Sequence, residues 1–247
     1  MRIIPLASSS KANAYLVDGR DTALLIDNGL TYKEFKKRAG AFPQEKISAI
    51  LVTHSHTDHI GGLSPFLAHH EVPVYANVMT AEAIVAATKL SDDRFVCFEN
   101  GQPFLLGEFT VHPFSIPHDT ADPVGFLIKT EGFTYFHGTD IGTPLDSIGL
   151  KLGEADIATL ESNHDPVMLK TSGRAASLIQ RIAGPRGHLA NDQAAELVRR
   201  FASPKLKRLY LAHLSRDCNL PRFALATMRE TLKEMHREDI EVEVLSP

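Results

Sequence analysis

His54-Ser55-His56-Thr57-Asp58-His59 sets three imidazoles and a carboxylate close together in the chain. Ahead of it, Ile47-Ser48-Ala49-Ile50-Leu51-Val52-Thr53 is apolar and rich in β-branched residues, the pattern of a buried strand. Behind it, Ile60-Gly61-Gly62-Leu63 opens towards a helix. The stretch therefore falls where a strand ends, the edge at which α/β proteins bind ligands. So many titratable groups make poor core material, because each needs a polar partner once buried. They make good metal ligands: imidazole suits Zn, Fe, Mn or Cu, and a carboxylate widens the choice to harder ions. The alternating His54 and His56 can aim at one ion, while Asp58 and His59 aim at a second.

Around this stretch the chain reads as an ordinary α/β alternation. Short strands are expected at Arg2–Leu6, Asn13–Asp18 and Ala23–Asp27, then a helix from Thr31 to Ala39, capped by Thr31 with Glu34 three residues on. A helix near Gly62–His69 follows, then an edge strand at Val72–Tyr75 and a helix over Met79–Lys89. Four β-like runs come next (95–98, 103–106, 109–114 and 124–130), and Phe133–Phe136 closes a hairpin through Glu131-Gly132. Helices near 144–151, 175–182, 190–201 and 222–236 alternate with strands at 155–160, 208–211 and 240–244. There is no internal repeat, low-complexity tract or linker. The order predicts two sheets facing each other with helices outside, in a single domain over residues 1–247.

The 247 residues, 43% hydrophobic and 23% charged, suit a soluble globular protein with a substantial core. The net charge of −4 does not by itself suggest nucleic acid. Lys170 to Arg237, however, carries 14 Lys and Arg against 5 Asp and Glu, a basic stretch able to hold a phosphate backbone or simply to solvate helix faces. Cys97 and Cys218 form no framework and read as small buried residues in a reducing cytosol. Met1–Leu6 turns polar at Ser8, too short for a secretion signal, and no apolar run approaches a membrane span. These features predict a cytoplasmic protein without a membrane partner.

Two metals need more ligands than the first stretch supplies, and three further places qualify. His118 lies just past a β-run, Asp140 ends the strand Phe136-His137-Gly138 among small residues that permit close backbone approach, and His213 follows Tyr210-Leu211-Ala212. His69, His70 and His236 read as helix-face residues, and His112 and His137 as strand-interior ones.

His-x-His-x-Asp-His after an apolar strand resembles the signature of the metallo-β-lactamase fold hydrolases. The resemblance implies an α/β fold, a four-layer αβ/βα sandwich. It further implies that His54, His56 and His118 hold one divalent ion, that Asp58, His59 and His213 hold another, and that Asp140 bridges the two. Glu161-Ser162-Asn163-His164-Asp165, Arg186-Gly187-His188-Leu189-Ala190-Asn191, His213-Leu214-Ser215-Arg216-Asp217-Cys218-Asn219 and His118-Asp119-x-x-Asp122-Pro123-Val124-Gly125-Phe126 narrow it to the YycJ branch, also called WalJ or VicX. One departure is Ser8-Ser9-Ser10-Lys11-Ala12-Asn13, where the branch usually reads Ser-Gly-Ser-Ser-Gly-Asn; two glycines are lost and a phosphate-seeking lysine is gained. The branch is similar to 5′-to-3′ exonucleases on double-stranded DNA, with a link to DNA repair and to two-component signalling.

Two cations, Zn, Mn or Fe, would lower the pKa of a shared water and clamp phosphodiester oxygens during in-line attack by the bridging hydroxide. Asp58 is expected to orient that water or take its proton. His188 and His164, in polar loops, are the candidates to protonate the leaving alkoxide or touch substrate. Asn191 and Ser215 are candidates to donate to phosphate oxygens, although Asn191 suits equally a cap on the helix near Asp192. A DNA exonuclease is thus the leading expectation. A small-molecule hydrolase of the same fold (cyclic-phosphate phosphodiesterase, lactonase or thioesterase) is the alternative, and steep salt dependence separates them. A regulatory partner with a structural metal fits less well, since structural zinc closes with four ligands.

Overall fold

The computed structural model describes residues 1–245. It forms two compact units, one of residues 1–115 with 120–124 and one of 116–119 with 125–245.

The first unit is built on a six-stranded sheet in simple sequence order: β1 (Arg2–Ser9), β2 (Ala12–Asp18), β3 (Ala23–Ile26), β4 (Ile47–Leu51), β5 (Val74–Asn77) and β6 (Phe95–Phe98). β1, β2 and β3 pair antiparallel, and β3 to β6 run parallel. Parallel pairing needs crossovers, and α1 (Tyr32–Ala39), α2 (Thr57–Ile60), α3 (Leu63–Leu67) and α4 (Val78–Ala87) lie in them. The Thr31 hydroxyl accepts from Glu34 N, so α1 starts where the sequence places it. Leu16, Leu25, Phe35, Ile50, Phe66 and Ile84 pack into one apolar cluster, with Phe35 and Phe66 edge to face at 4.9 Å. Each such side chain contributes roughly 1.5–3 kcal/mol by leaving water. β7 (Phe104–Leu106) and β8 (Phe109–Ser115) form a further hairpin. Val72–Tyr75 is not an edge: β5 begins after Pro73 and lies between β4 and β6, so the missing proline N–H costs the ladder nothing.

In the second unit the strands run β13 (Glu241–Val244), β12 (Arg208–Ala212), β11 (Ile157–Glu161), β10 (Phe133–Gly138), β9 (Val124–Thr130). β9 and β10 form the expected hairpin, with Thr130 opposite Phe133, and β10 to β13 run parallel. The accompanying helices are α5 (Asp146–Leu152), α6 (Pro166–Lys170), α7 (Ala176–Ile182), α8 (Asn191–Phe201) and α9 (Pro221–Glu234). Phe126, Phe136, Leu160, Val198 and Leu211 are fully buried. Tyr135 is buried among them and donates to Thr159 Oγ1 at 2.7 Å; burial pushes its phenol far above the usual value.

Smaller expectations shift. Cys97 is exposed on β6, the last strand of its sheet, where the adjacent Val96 is exposed as well, while Cys218 is buried. His69 and His70 lie just past α3, stacked on Tyr32 and Phe66 at 4.2 Å each. His236 follows α9 in a left-handed turn. Among the described residues no helix is long and apolar enough to cross a membrane.

Candidate functional site

In the first unit, the end of β4 delivers Thr53 and His54 while α2 begins at Thr57, so the motif straddles strand end and helical turn. Asp27 follows β3 in the left-handed region (φ 54°), a conformation that costs a non-glycine residue energy and clusters at functional sites. Its fully buried carboxylate accepts from Thr53 N at 2.8 Å and Thr53 Oγ1 at 2.8 Å, and bonds His59 Nδ1 at 2.7 Å. Thr53 Oγ1 also lies 3.0 Å from His54 Nδ1. Both imidazoles are thus tied by Nδ1, and both turn Nε2 the other way, which is how a protein presents histidine to a metal. His54 Nε2 lies 3.2 Å from His56 Nδ1, and His59 Nε2 lies 3.4 Å from Asp58 Oδ2. Two nitrogens bound to one tetrahedral zinc at about 2.0–2.1 Å stand roughly 3.3 Å apart, so the spacing fits shared ions.

Close backbone packing holds this arrangement. Asn28 N donates to His59 O at 2.7 Å, and a Cβ on Gly29 would meet Asp58 O at 1.8 Å. Ser10-Lys11 is the turn of the β1–β2 hairpin, with Lys11 exposed. Asn13, which this stretch shares with the branch pattern along with Ser8 and Ser10, donates from Nδ2 to Asp58 Oδ2 at 3.1 Å and to Ser9 O at 3.0 Å, and its Nδ2 also lies 3.0 Å from His59 Nε2.

The second unit repeats the strategy. His118 Nδ1 donates to Gly187 O at 3.0 Å, and its Nε2 lies 3.6 Å from Asp140 Oδ1. Asp140 (φ 60°) and His213 (φ 55°) both sit in the left-handed region past the ends of β10 and β12. A Cβ on Gly142 would come within 2.5 Å of Pro185 O, so the small residues after Asp140 do admit close backbone approach. Asp140, Glu161, His188 and His213 each offer a donor atom within 4.8 Å of one another.

Glu161, at the end of β11, organises this group. Its Oε1 lies 2.9 Å from Nδ1 of both His188 and His213, and its Oε2 accepts from Ile141 N at 2.8 Å and Leu189 N at 3.0 Å. Those are hydrogen bonds from ring N–H groups, so Glu161 acts as a positioning carboxylate. Burial raises its pKa, but the adjacent His188 charge and the bonds from His188 and His213 prevail, holding it at about 2. Burial depresses the His188 imidazole, yet Glu161 and Asp140 bring it above its usual value.

The remaining candidates are more enclosed than loop residues normally are. His164 is buried and forms a parallel bridge with Ala190. Asn191 is no cap: α8 starts at Asn191 with Ala190 in the cap position, and Gln193 Oε1 accepts from Ala190 N. The Asn191 side chain instead accepts from Ser162 Oγ at 2.7 Å and bonds Asn219. Ser215 Oγ accepts from Cys218 N at 3.2 Å. Part of the basic stretch is neutralised: Arg181, Arg200, Lys207 and Arg208 pair with Asp119, Asp146, Asp239 and Glu241, all outside it.

Neither Asp27 nor Glu161 is among the orienting groups expected from the sequence, although each is a carboxylate at the end of an apolar strand.

Imidazoles tied by Nδ1 and strand-end carboxylates are a donor set suited to divalent metal, and the family the chain belongs to makes it a metal-dependent hydrolase. The family "Beta-lactamase superfamily domain" matches residues 22–214. "Exodeoxyribonuclease YycJ" of Bacillus anthracis is 32% identical over 233 residues, 93% of this chain and 88% of its own. "Exodeoxyribonuclease WalJ" of Streptococcus pneumoniae strain D39 is 30% identical over 234 residues, 93% of this chain and 87% of its own. Among solved structures, the metallo-beta-lactamase fold protein YhfI of Bacillus subtilis superposes with a TM-score of 0.75 at 20% identity, covering 99% of this chain and 96% of its own, and so shares the fold. The chain belongs to the beta-lactamase superfamily and, within it, to the YycJ branch.

Proposed function

We propose that this hydrolase is an exodeoxyribonuclease that removes nucleotides 5′ to 3′ from double-stranded DNA. The observation that carries the reading is relatedness over 93% of the chain to two proteins named exodeoxyribonucleases. Coverage by the family and by YhfI supports taking residues 1–247 as one hydrolase domain. Following the family pattern, His54, His56 and His118 would hold one divalent cation and Asp58, His59 and His213 a second, with Asp140 shared; Zn, Mn and Fe all suit these donors. Such cations activate water near neutral pH and stabilise charge on a phosphodiester.

The chain's own residues do the rest. Asp27, Thr53, Gly187 and Glu161 fix which ring nitrogen His59, His54, His118 and His213 present. Asp58 orients the attacking water. His188 is partly open, and its Nδ1 bond to Glu161 leaves Nε2 to pass a proton to the leaving oxygen. Asn191 and Ser215 enter as phosphate contacts on the branch motifs alone. The free thiols suit the cytoplasm, and DNA repair suits an end-directed nuclease.

The ion pairing of the basic stretch favours a second reading, a small-molecule phosphodiesterase, because fewer cations are left to track a DNA backbone. Metal-stripped protein restored with Mn or Zn and given 5′-phosphorylated, end-labelled duplex separates the two. Nucleotide release that weakens with salt and vanishes in Asp140→Ala supports the nuclease. Cleavage of a small chromogenic phosphodiester alone supports the alternative.

A further inference from the structure

The second unit contains a cavity of about 360 Å³ that the chemistry above leaves unused. Leu169 of α6, Ile179 of α7 and Ala183 just past its end give it apolar walls, and His164, Lys170 and Asp192 give it polar edges. That volume is at the small end of ligand pockets, about 300–1,000 Å³. His164 is 3% exposed, and among the described residues its Nδ1 has no hydrogen-bond partner. That nitrogen is sealed from solvent, so His164 meets the cavity with another part of its ring.

The lining limits the ligand's chemistry. Lys170 and Asp192 line it with opposite charges, and burial lowers the His164 pKa, favouring the neutral ring. A phosphate finds no surplus positive charge there. A flat heterocycle finds apolar surface for its faces, with a lysine donor, a carboxylate acceptor and an imidazole for its edge.

The location fits a substrate subsite. His164 O accepts from Asn191 N, Asn163 N donates to Leu189 O, and Asn163 Nδ2 donates to His213 O at 2.8 Å. The cavity's His164 is therefore tied to the segments that carry His188 and His213.

We propose that this cavity receives the base of a strand-terminal nucleotide, with Asp192 and His164 at its edge and Leu169, Ile179 and Ala183 against its faces. The proposal rests on the nuclease reading for its substrate, but it is tested without DNA cleavage. Calorimetry on the metal-loaded full chain compares deoxyadenosine 5′-monophosphate with 2-deoxyribose 5-phosphate, which lacks the base. The nucleotide is expected to bind about tenfold tighter or more. Ala183→Trp, at an exposed helix end, fills the cavity and should bring the two within about twofold, leaving the sugar phosphate and small-phosphodiester hydrolysis unchanged. Equal affinities in the wild type, or a ratio that survives Ala183→Trp, overturn the proposal. Base-dependent binding without nucleotide release from DNA would overturn the nuclease reading and leave the pocket standing. Release from DNA with no base preference would do the reverse.

Discussion

Glu161 holds two histidines through one oxygen: His188 Nδ1 and His213 Nδ1 each lie 2.9 Å from Oε1. Glu161→Gln keeps a carbonyl for Ile141 N and Leu189 N but turns an NH2 towards two ring N–H groups. Metal retention or turnover should fall about 10–100-fold, the usual cost of losing such an orienting partner. Metal content by mass spectrometry, read beside activity, checks this; a variant with normal values for both would show that Glu161 does not orient the rings.

Asp27→Asn probes the same device in the first unit. One amide cannot serve both Thr53 and the His59 N–H as a carboxylate does, and hydrogen bonds to charged groups are worth about 1.5–3 kcal/mol. The urea midpoint should drop accordingly and metal should be lost more readily. An unchanged midpoint would mean that Thr53 alone fixes His59.

Removing metal should destabilise the fold as well as silence it. With cation at roughly 100 times its dissociation constant, restoring it should add about 2.7 kcal/mol. Melting of chelated, restored and Asp140→Ala protein is the comparison, and the variant should recover least.

Gly29→Ala drives a methyl group into Asp58 O, so a loss of about 1–3 kcal/mol is expected, together with weaker metal binding. Gly132 has a positive φ of 73° but open space around it, and Gly132→Ala should cost only the backbone term, about 1 kcal/mol. Equal losses in both would show that the Gly29 contact relaxes freely.

Burial lowers the His164 pKa in the folded chain, while the unfolded chain keeps the ordinary value near 6.5. The unfolded state therefore takes the proton first. The contribution of His164 to stability is intact above about pH 6.5 and is lost as pH falls below it. His164→Gln should show a smaller drop in urea midpoint between about pH 7.5 and 5.5 than the wild type. An identical drop would place His164 in contact with water.

The histidine-rich stretch from His54 to His59 and the strand–helix order around it were legible because hydrophobic runs and clustered imidazoles are local signals. His118, Asp140 and His213 were legible as strand-end residues. Asp27 and Glu161 were not, because a single carboxylate after a strand looks like a turn until its partner is known. That partner is His59 in one case and His213 in the other, both distant in sequence. The exposure of Cys97 and the partial neutralisation of the basic stretch escaped for the same reason: each depends on what the fold brings alongside.

No residue of α7 is buried, although Leu178, Ile179 and Ile182 lie on it. A helix that contributes so little to the core opens at a small fraction of the cost of global unfolding. Its amides are therefore expected to exchange with solvent ahead of those in β11 and β12, whose side chains are mostly buried. Anything that settles against α7 must first order it, so part of the binding free energy goes into completing local folding.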